Sequence, residues 1–430
     1  MNFIFTILLI SLNFSIVYSQ AEVKTFDFGL EKSSKEIPIS SPLSYHVDRG
    51  YGFDFNTCEN IVFEKNAFTS ATPAYFSIKL PEGNYFIEVD LGSEKSTSET
   101  TIKAESRRLM RSQVSVKKGG IKTETFSVDL RGIKISEEES VNLKSREEDD
   151  LNWDNKLTLE FSGEVAVKAI RIKPAEDFIN IFLAGDSTVT DQDVEPWASW
   201  GQMITQFFSS DIVVANYAAS GESLGSFKGR NRLKKILNVI QQGDYLFIEF
   251  GHNDSKIKGE GNGAYGLYTQ LLKEYVTEAR KKGGIPVLLT PTERRHFNKE
   301  GKLEPTHGNF PDAMRKVAKS LDVPIIDLTK ITTKMYEAWG VEDSKNALVH
   351  YQENTFPGQH KELSDNTHFN GFGANEIALA IIEEIRNSDL ELKNHIREET
   401  SRYDSNKPNN LKNWTVPLST HFESTKPEGN

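Results

Sequence analysis

Ile179-Asn180-Ile181-Phe182-Leu183-Ala184-Gly185-Asp186-Ser187-Thr188 is the stretch that decides the fold. A nearly continuous apolar run of strand length ends in a Gly-Asp-Ser-Thr turn. A strand that is apolar on both sides belongs in a parallel sheet covered on both faces. Comparable runs recur at 212–217, 245–250, 285–290 and 323–328. Helical stretches are expected between them at about 197–208, 230–241, 264–282 and 311–321, with a last helix at about 371–386. This alternation predicts an α/β/α domain over 178–390, with a five-stranded parallel sheet and right-handed crossovers. Ligands of such sheets bind beyond the carboxyl ends of the strands, which is where Ser187 falls.

Upstream of about Glu176 the rhythm is different. Residues 23–174 carry short alternating runs separated by turns, among them 75–80, 84–91, 123–130, 156–161 and 165–172, which is an all-β sandwich pattern. The runs 76–80 and 85–89, joined by Pro81-Glu82-Gly83-Asn84, read as a hairpin. The charge runs 137–139 and 146–150 are expected on exposed loops. The tail 391–430 is polar, contains Pro408, Pro417 and Pro427, shows no period, and is expected to be extended or partly disordered.

The stretch 1–19 is apolar and uncharged, with the small residue Ser19 two after Val17, as in a signal peptide cleaved before Gln20. It is shorter than the roughly 20 residues of a spanning helix, so a secreted or periplasmic protein with no membrane association after signal removal is expected. Hydrophobic residues at 37% and charged residues at 26% describe an ordinary soluble protein. A net charge of -11 disfavours nucleic acid as a partner. Cys58 is the only cysteine and has no internal disulfide partner.

Four separated segments hold the groups that ester hydrolysis by a serine enzyme requires. Ser187 stands at the turn after the first strand of the parallel sheet. Asp365 and His368 are three apart just before the last helix, so one turn can hold the carboxylate beside the imidazole. Asn253 follows the 245–250 strand and can aim a side-chain N–H at an oxyanion. Gly221 follows the 212–217 strand, where a missing side chain lets backbone N–H approach the same point. Each has an ordinary reading when taken alone: a helix cap for Ser187, turn formers for Gly221 and Asn253, a helix start for Asp365 and His368. Together they describe one site.

The segments that carry these groups are 183–188 (Leu-Ala-Gly-Asp-Ser-Thr), 216–221 (Asn-Tyr-Ala-Ala-Ser-Gly) leading to Ser226-Phe227, 244–254 ending in Gly-His-Asn-Asp, and 365–369 (Asp-Asn-Thr-His-Phe). They resemble the blocks of the SGNH (GDSL-type) hydrolases, and in detail the rhamnogalacturonan acetylesterases of that superfamily. The resemblance covers about 179–386. It implies a flavodoxin-like SGNH sheet, Ser187 as nucleophile, His368 as base and Asp365 as its orienter. It also implies an oxyanion hole from the Ser187 N–H, the Gly221 N–H and the Asn253 side chain, with no metal and no cofactor. Glu222 departs from the family, in which an arginine often follows the glycine. The 23–174 region is similar to the galactose-binding-like sandwich that accompanies some of these esterases.

Arg294-Arg295-His296 follows the fourth strand and could supply positive charge for a uronate carboxylate. His252, His307, His350 and His360 have no metal-like spacing, although His307 could line the cleft. The expectation is a secreted serine esterase acting on acetylated polysaccharide, foremost rhamnogalacturonan, through an acetyl-enzyme. The alternatives are acetylxylan esterase, another SGNH carbohydrate esterase or a lipase, or a carbohydrate-binding protein with an inactive hydrolase domain.

Overall fold

One strand organises the N-terminal half of the chain. Lys156–Pro174 pairs antiparallel with Ala74–Lys79 and Ser98–Ala104 through its first part, and with Gly83–Leu91 and Lys24–Phe28 through its second. It therefore belongs to both layers of a sandwich. Phe26 and Phe28 of one layer meet Phe76 of the other edge-on, at centroid distances of 5.2 and 5.3 Å, and this aromatic contact closes the core. The computed structural model describes residues 23–29 and 37–429, so the expected signal peptide at 1–19 lies outside the described residues.

Two expectations for this half are corrected. The runs 156–161 and 165–172 are one continuous strand. The expected hairpin does not form, because Ala74–Lys79 and Gly83–Leu91 each pair with the long strand instead of with each other. Pro81 and Glu82 carry the chain between layers, a role that the same turn chemistry serves equally well. Within the charge run 146–150, Arg146, Glu148 and Asp149 are exposed but Glu147 is buried, paired with Arg232 of the second half.

After Lys156–Pro174 the architecture changes. Five parallel strands lie in the order Ile212–Asn216, Ile179–Gly185, Tyr245–Glu249, Ile285–Leu289, Ile325–Ile326, which is the SGNH hydrolase arrangement with sequence order 2-1-3-4-5. Alternate side chains of one strand face opposite layers. Ile181 and Leu183 pack with Trp200, Met335, Ile377 and Ile381 on one side, whereas Phe182 and Ala184 pack with Leu272, Val276 and Met314 on the other. Both faces are covered, and the switch point opens at the end of Ile179–Gly185.

Several boundaries shift. The 323–328 strand shrinks to Ile325–Ile326, because the Asp327 side chain accepts from Lys330 N and starts an unforeseen helix, Leu328–Asp343. The first expected helix begins at Trp200, after a capping box of Ser199 and Gln202, and continues as 3-10 turns over Ile204–Phe207. Asp365 and His368 lie in a strand, Leu363–Phe369, which pairs antiparallel with Leu348–Tyr351 outside the main sheet.

The tail is ordered and packed across both halves as far as Gly429. The Trp339 indole donates to Asn409 O at 2.8 Å, and Tyr403 OH donates to Glu376 at 3.0 Å. Ser419 Oγ donates to Glu160 at 2.7 Å and accepts from Lys103 Nζ at 2.8 Å, and the Trp197 indole donates to Glu423 O at 3.0 Å. A polar segment without period is held here by side chains that meet its backbone, a pattern that composition does not register.

The halves share a buried polar seam. Arg108 is 1% exposed, and its guanidinium meets Asp191 at 2.7 Å, Asn152 at 2.6 Å and Asp129 O at 3.1 Å. Asp191 in turn accepts from the Asn216 side chain at 2.7 Å. Arg107 donates to Trp197 O at 2.8 Å and pairs with Glu195. The sandwich thus grips residues 191–197, the segment that follows the Gly-Asp-Ser-Thr turn. Among the described residues, no helix is long and apolar enough to cross a membrane.

Candidate active site

The turn after Ile179–Gly185 is fixed by its own side chains. Asp186 Oδ1 accepts from Thr188 N and Thr188 Oγ1, each at 3.0 Å. The same hydroxyl lies 3.1 Å from Glu249 Oε1, at the end of the neighbouring strand. Burial, then the Asp186 charge, push the Glu249 carboxyl up to about 8. One hydroxyl proton cannot serve two carboxylates, so the arrangement is satisfied when Glu249 keeps its proton. Glu249 also accepts from Thr292 N at 3.2 Å and from the Trp200 indole.

Ser187 emerges from this turn toward the hairpin that holds His368. His368 Nε2 is 3.0 Å from Ser187 Oγ, and His368 Nδ1 is 2.9 Å from Asp365 Oδ2. Asp365 Oδ1 accepts from Thr367 N at 2.7 Å and His368 N at 2.8 Å. Burial alone would raise the Asp365 carboxyl, but the bond and charge of His368 and the two backbone donors hold it far below the usual carboxylate range. The Trp197 ring stands edge-on to His368 at 5.6 Å, and the Gln192 side chain donates to Ser187 O at 2.8 Å.

Gly221 and Asn253 come together at the same edge. Gly221 has φ +80, in the left-handed region that favours glycine. Asn253 donates one amide N–H to Glu222 O at 3.0 Å, which leaves its second N–H available. The two residues adjoin one point of the tail: a Cβ on Gly429 would lie 2.6 Å from Asn253 Oδ1 and 2.7 Å from Gly221 Cα. Glu222 turns inward, fully buried, to Lys144 at 3.1 Å, Arg230 at 3.2 Å and the Ser226 hydroxyl.

Of the expected substrate contacts, only Arg294 borders this centre. It donates to His252 O at 3.3 Å, meets His307 Nδ1 at 3.4 Å, and feels the charges of Asp186 and Asp365. Arg295 is spent on Ser344, Asn366 and Val341 O, and His296 is exposed and paired with Glu304 at 3.1 Å. His307 and His252 form a buried edge-on pair at 4.4 Å, and burial with the nearby Arg294 charge pushes His307 down to about 3. Sequence reasoning missed Gln192, Trp197, Glu249 and Lys144: the last three act on segments distant in the chain, and Gln192, only five residues from Ser187, lies in no recognisable spacing.

A serine, an imidazole and a carboxylate in line above a parallel five-stranded sheet, with a glycine turn and an amide alongside, define a fold and site suited to acyl transfer. The chain belongs to the GDSL-like lipase/acylhydrolase family, whose model matches residues 183–374, and it is a carboxylic ester hydrolase. It is 45% identical over 220 residues to the rhamnogalacturonan acetylesterase RhgT of Bacillus subtilis, covering 51% of this chain and 94% of that one. It is 25% identical over 241 residues to a rhamnogalacturonan acetylesterase of Emericella nidulans, covering 51% and 90%. The uncharacterized esterase YxiM of Bacillus subtilis matches at 24% identity over 86% of this chain and 92% of its own length. A crystal structure of the YxiM protein superposes with a TM-score of 0.45 at 22% identity, over 85% of this chain and 98% of that one.

Proposed function

We propose that this protein is a secreted serine esterase that removes O-acetyl groups from pectic polysaccharide, foremost the rhamnogalacturonan backbone. The observation that carries the chemistry is the aligned chain of Ser187, His368 and Asp365, at 3.0 and 2.9 Å. The substrate class is supported by likeness to relatives named rhamnogalacturonan acetylesterases. Secretion is supported by the apolar, uncharged opening stretch.

In this reading Ser187 Oγ attacks the acetyl carbonyl and passes its proton to His368 Nε2. Asp365 holds the imidazole in the accepting tautomer and offsets the charge that His368 gains. The oxyanion takes hydrogen bonds from the Ser187 N–H, the Gly221 N–H and the free N–H of Asn253. The tetrahedral intermediate then collapses, and His368 returns the proton to the departing sugar oxygen. Water, deprotonated by His368, attacks the acetyl-enzyme; acetate leaves and Ser187 regains its proton. The test is carboxylic acid release, acetate from acetylated rhamnogalacturonan and acetylated xylan and fatty acid from long-chain esters, by wild type and Ser187→Ala. Ser187→Ala is expected to lose at least about 1,000-fold in kcat. Release at the parental rate would refute the mechanism, and preference for xylan or long acyl chains would refute the substrate.

A further inference from the structure

Lys144 lies outside residues 183–374, on the loop between Lys122–Leu130 and Lys156–Pro174, yet its ammonium reaches the glycine turn of the catalytic domain. A Cβ on Gly221 would sit 3.1 Å from Lys144 Nζ. Its backbone is pinned, since Lys144 N donates to Glu147 Oε2 at 3.0 Å and Glu147 pairs with the buried Arg232. An ammonium has three donors. Two go to Ser220 O and to Glu428 Oε2 at 3.0 Å, and Glu222 Oε1 lies 3.1 Å from the ammonium as an ion pair without a hydrogen bond.

These carboxylates differ in kind. Glu222 has a side chain 0% exposed and also meets Arg230, so it is a fixed part of the wall. Glu428 is 52% exposed and sits on the tail, whose neighbouring residues rest on the catalytic centre. Lys426 Nζ is 3.1 Å from Asp365 Oδ2, Pro427 is buried, and Gly429 abuts Gly221 and Asn253. Ser187 and His368 are only 2% and 1% exposed under this cover. Any ester that reaches Ser187 must displace these tail residues, and doing so removes the Glu428 carboxylate from Lys144, leaving Lys144 and Arg230 to share the single charge of Glu222.

Building on the proposed substrate class, we infer that Lys144 is the receiver of a uronate carboxylate on the acetylated polysaccharide, and that Glu428 occupies this place until substrate arrives. A polymer that brings its own carboxylate restores the lost partner, whereas a neutral ester leaves the lysine with Ser220 O and a Glu222 that it shares with Arg230.

The test compares kcat/KM on acetylated rhamnogalacturonan with that on nitrophenyl acetate for wild type, Lys144→Met, Lys144→Arg and Glu428→Gln. Lys144→Met is expected to lower the polymer-to-nitrophenyl ratio about 10- to 100-fold, mainly through KM, with Lys144→Arg recovering most of the loss. Deacetylated rhamnogalacturonan oligosaccharide should inhibit Lys144→Met more weakly by a similar factor. Glu428→Gln, at an exposed side chain and independent of how Lys144→Met folds, should lower KM for the polymer about 2- to 5-fold. A ratio within about 2-fold of wild type in Lys144→Met, or an unchanged polymer KM in Glu428→Gln, overturns the inference. Wild-type preference for acetylated xylan would instead overturn the substrate reading on which it rests.

Discussion

At the scale of single residues, the chemistry of the site rests on short-range geometry that its side chains impose on themselves. Asp365 accepts from the backbone of the residue it orients, so its spacing of three from His368 was legible before any fold was known. Ser187 was legible for the same reason, at the end of an apolar strand. Glu249 was not, since Thr188, Trp200 and Thr292 approach it from three separate segments and no local pattern links them. Its proton has a measurable consequence. Between the ordinary value of 4.5 and about 8 the unfolded chain has lost this proton while the folded chain keeps it. Its contribution to stability is therefore whole below that window and is lost as pH rises through about 8. Glu249→Gln cannot ionise, so urea unfolding from about pH 5 to about pH 8 should show wild type losing more stability than the variant, by on the order of several kcal/mol. Parallel pH curves for the two would show that Glu249 is ionised in the folded protein.

At the scale of elements, the parallel strands were readable because each is apolar on both faces, whereas the order 2-1-3-4-5 comes from the structure, since several windings cover both sides of a sheet. The short helix Trp200–Met203 shows what a periodicity reading leaves out. It packs so closely under the Gly-Asp-Ser-Thr turn that a Cβ on Gly201 would run into Val189 O and the Asn216 amide. That amide donates to Val189 O at 2.7 Å, two residues after Ser187. Gly201→Ala is therefore expected to cost about 3 kcal/mol of stability and to lower kcat by displacing the turn. Thermal unfolding and ester turnover would check it, and a variant as stable and active as wild type would mean that the backbone has room to yield. The hairpin carrying Asp365 and His368 eluded sequence reasoning because Leu348–Tyr351 and Leu363–Phe369 are short, and a register shift interrupts their pairing. Helix Leu328–Asp343 escaped for another reason: its first half holds Thr329, Thr332 and Thr333, whose branched side chains weaken a helical signal.

At the scale of the whole molecule, the sandwich is part of how the site is built. Arg107 and Arg108 brace the segment after Ser187, while Lys144 and Glu147 brace the turn at Gly221. None of this could be read from sequence, where arginines in a strand look like a solvated face and the tail looks like a dispensable end. Replacing Arg108 leaves Asp191 buried without its cation, so Arg108→Ala should destabilise the protein by about 3–5 kcal/mol, measured by urea unfolding. A loss below about 1 kcal/mol would show that the seam is hydrated and adaptable. The long strand Lys156–Pro174 has a further consequence, for the order in which the chain is made. Lys24–Phe28, Ala74–Lys79, Gly83–Leu91 and Ser98–Ala104 all take it as a pairing partner. A ribosome has delivered those four strands before it supplies the strand that joins them, an interval on the order of ten seconds at typical elongation rates. During that interval their edges are open to other nascent chains, so early protein yield should depend on chaperone capture more than on the stability of the finished enzyme.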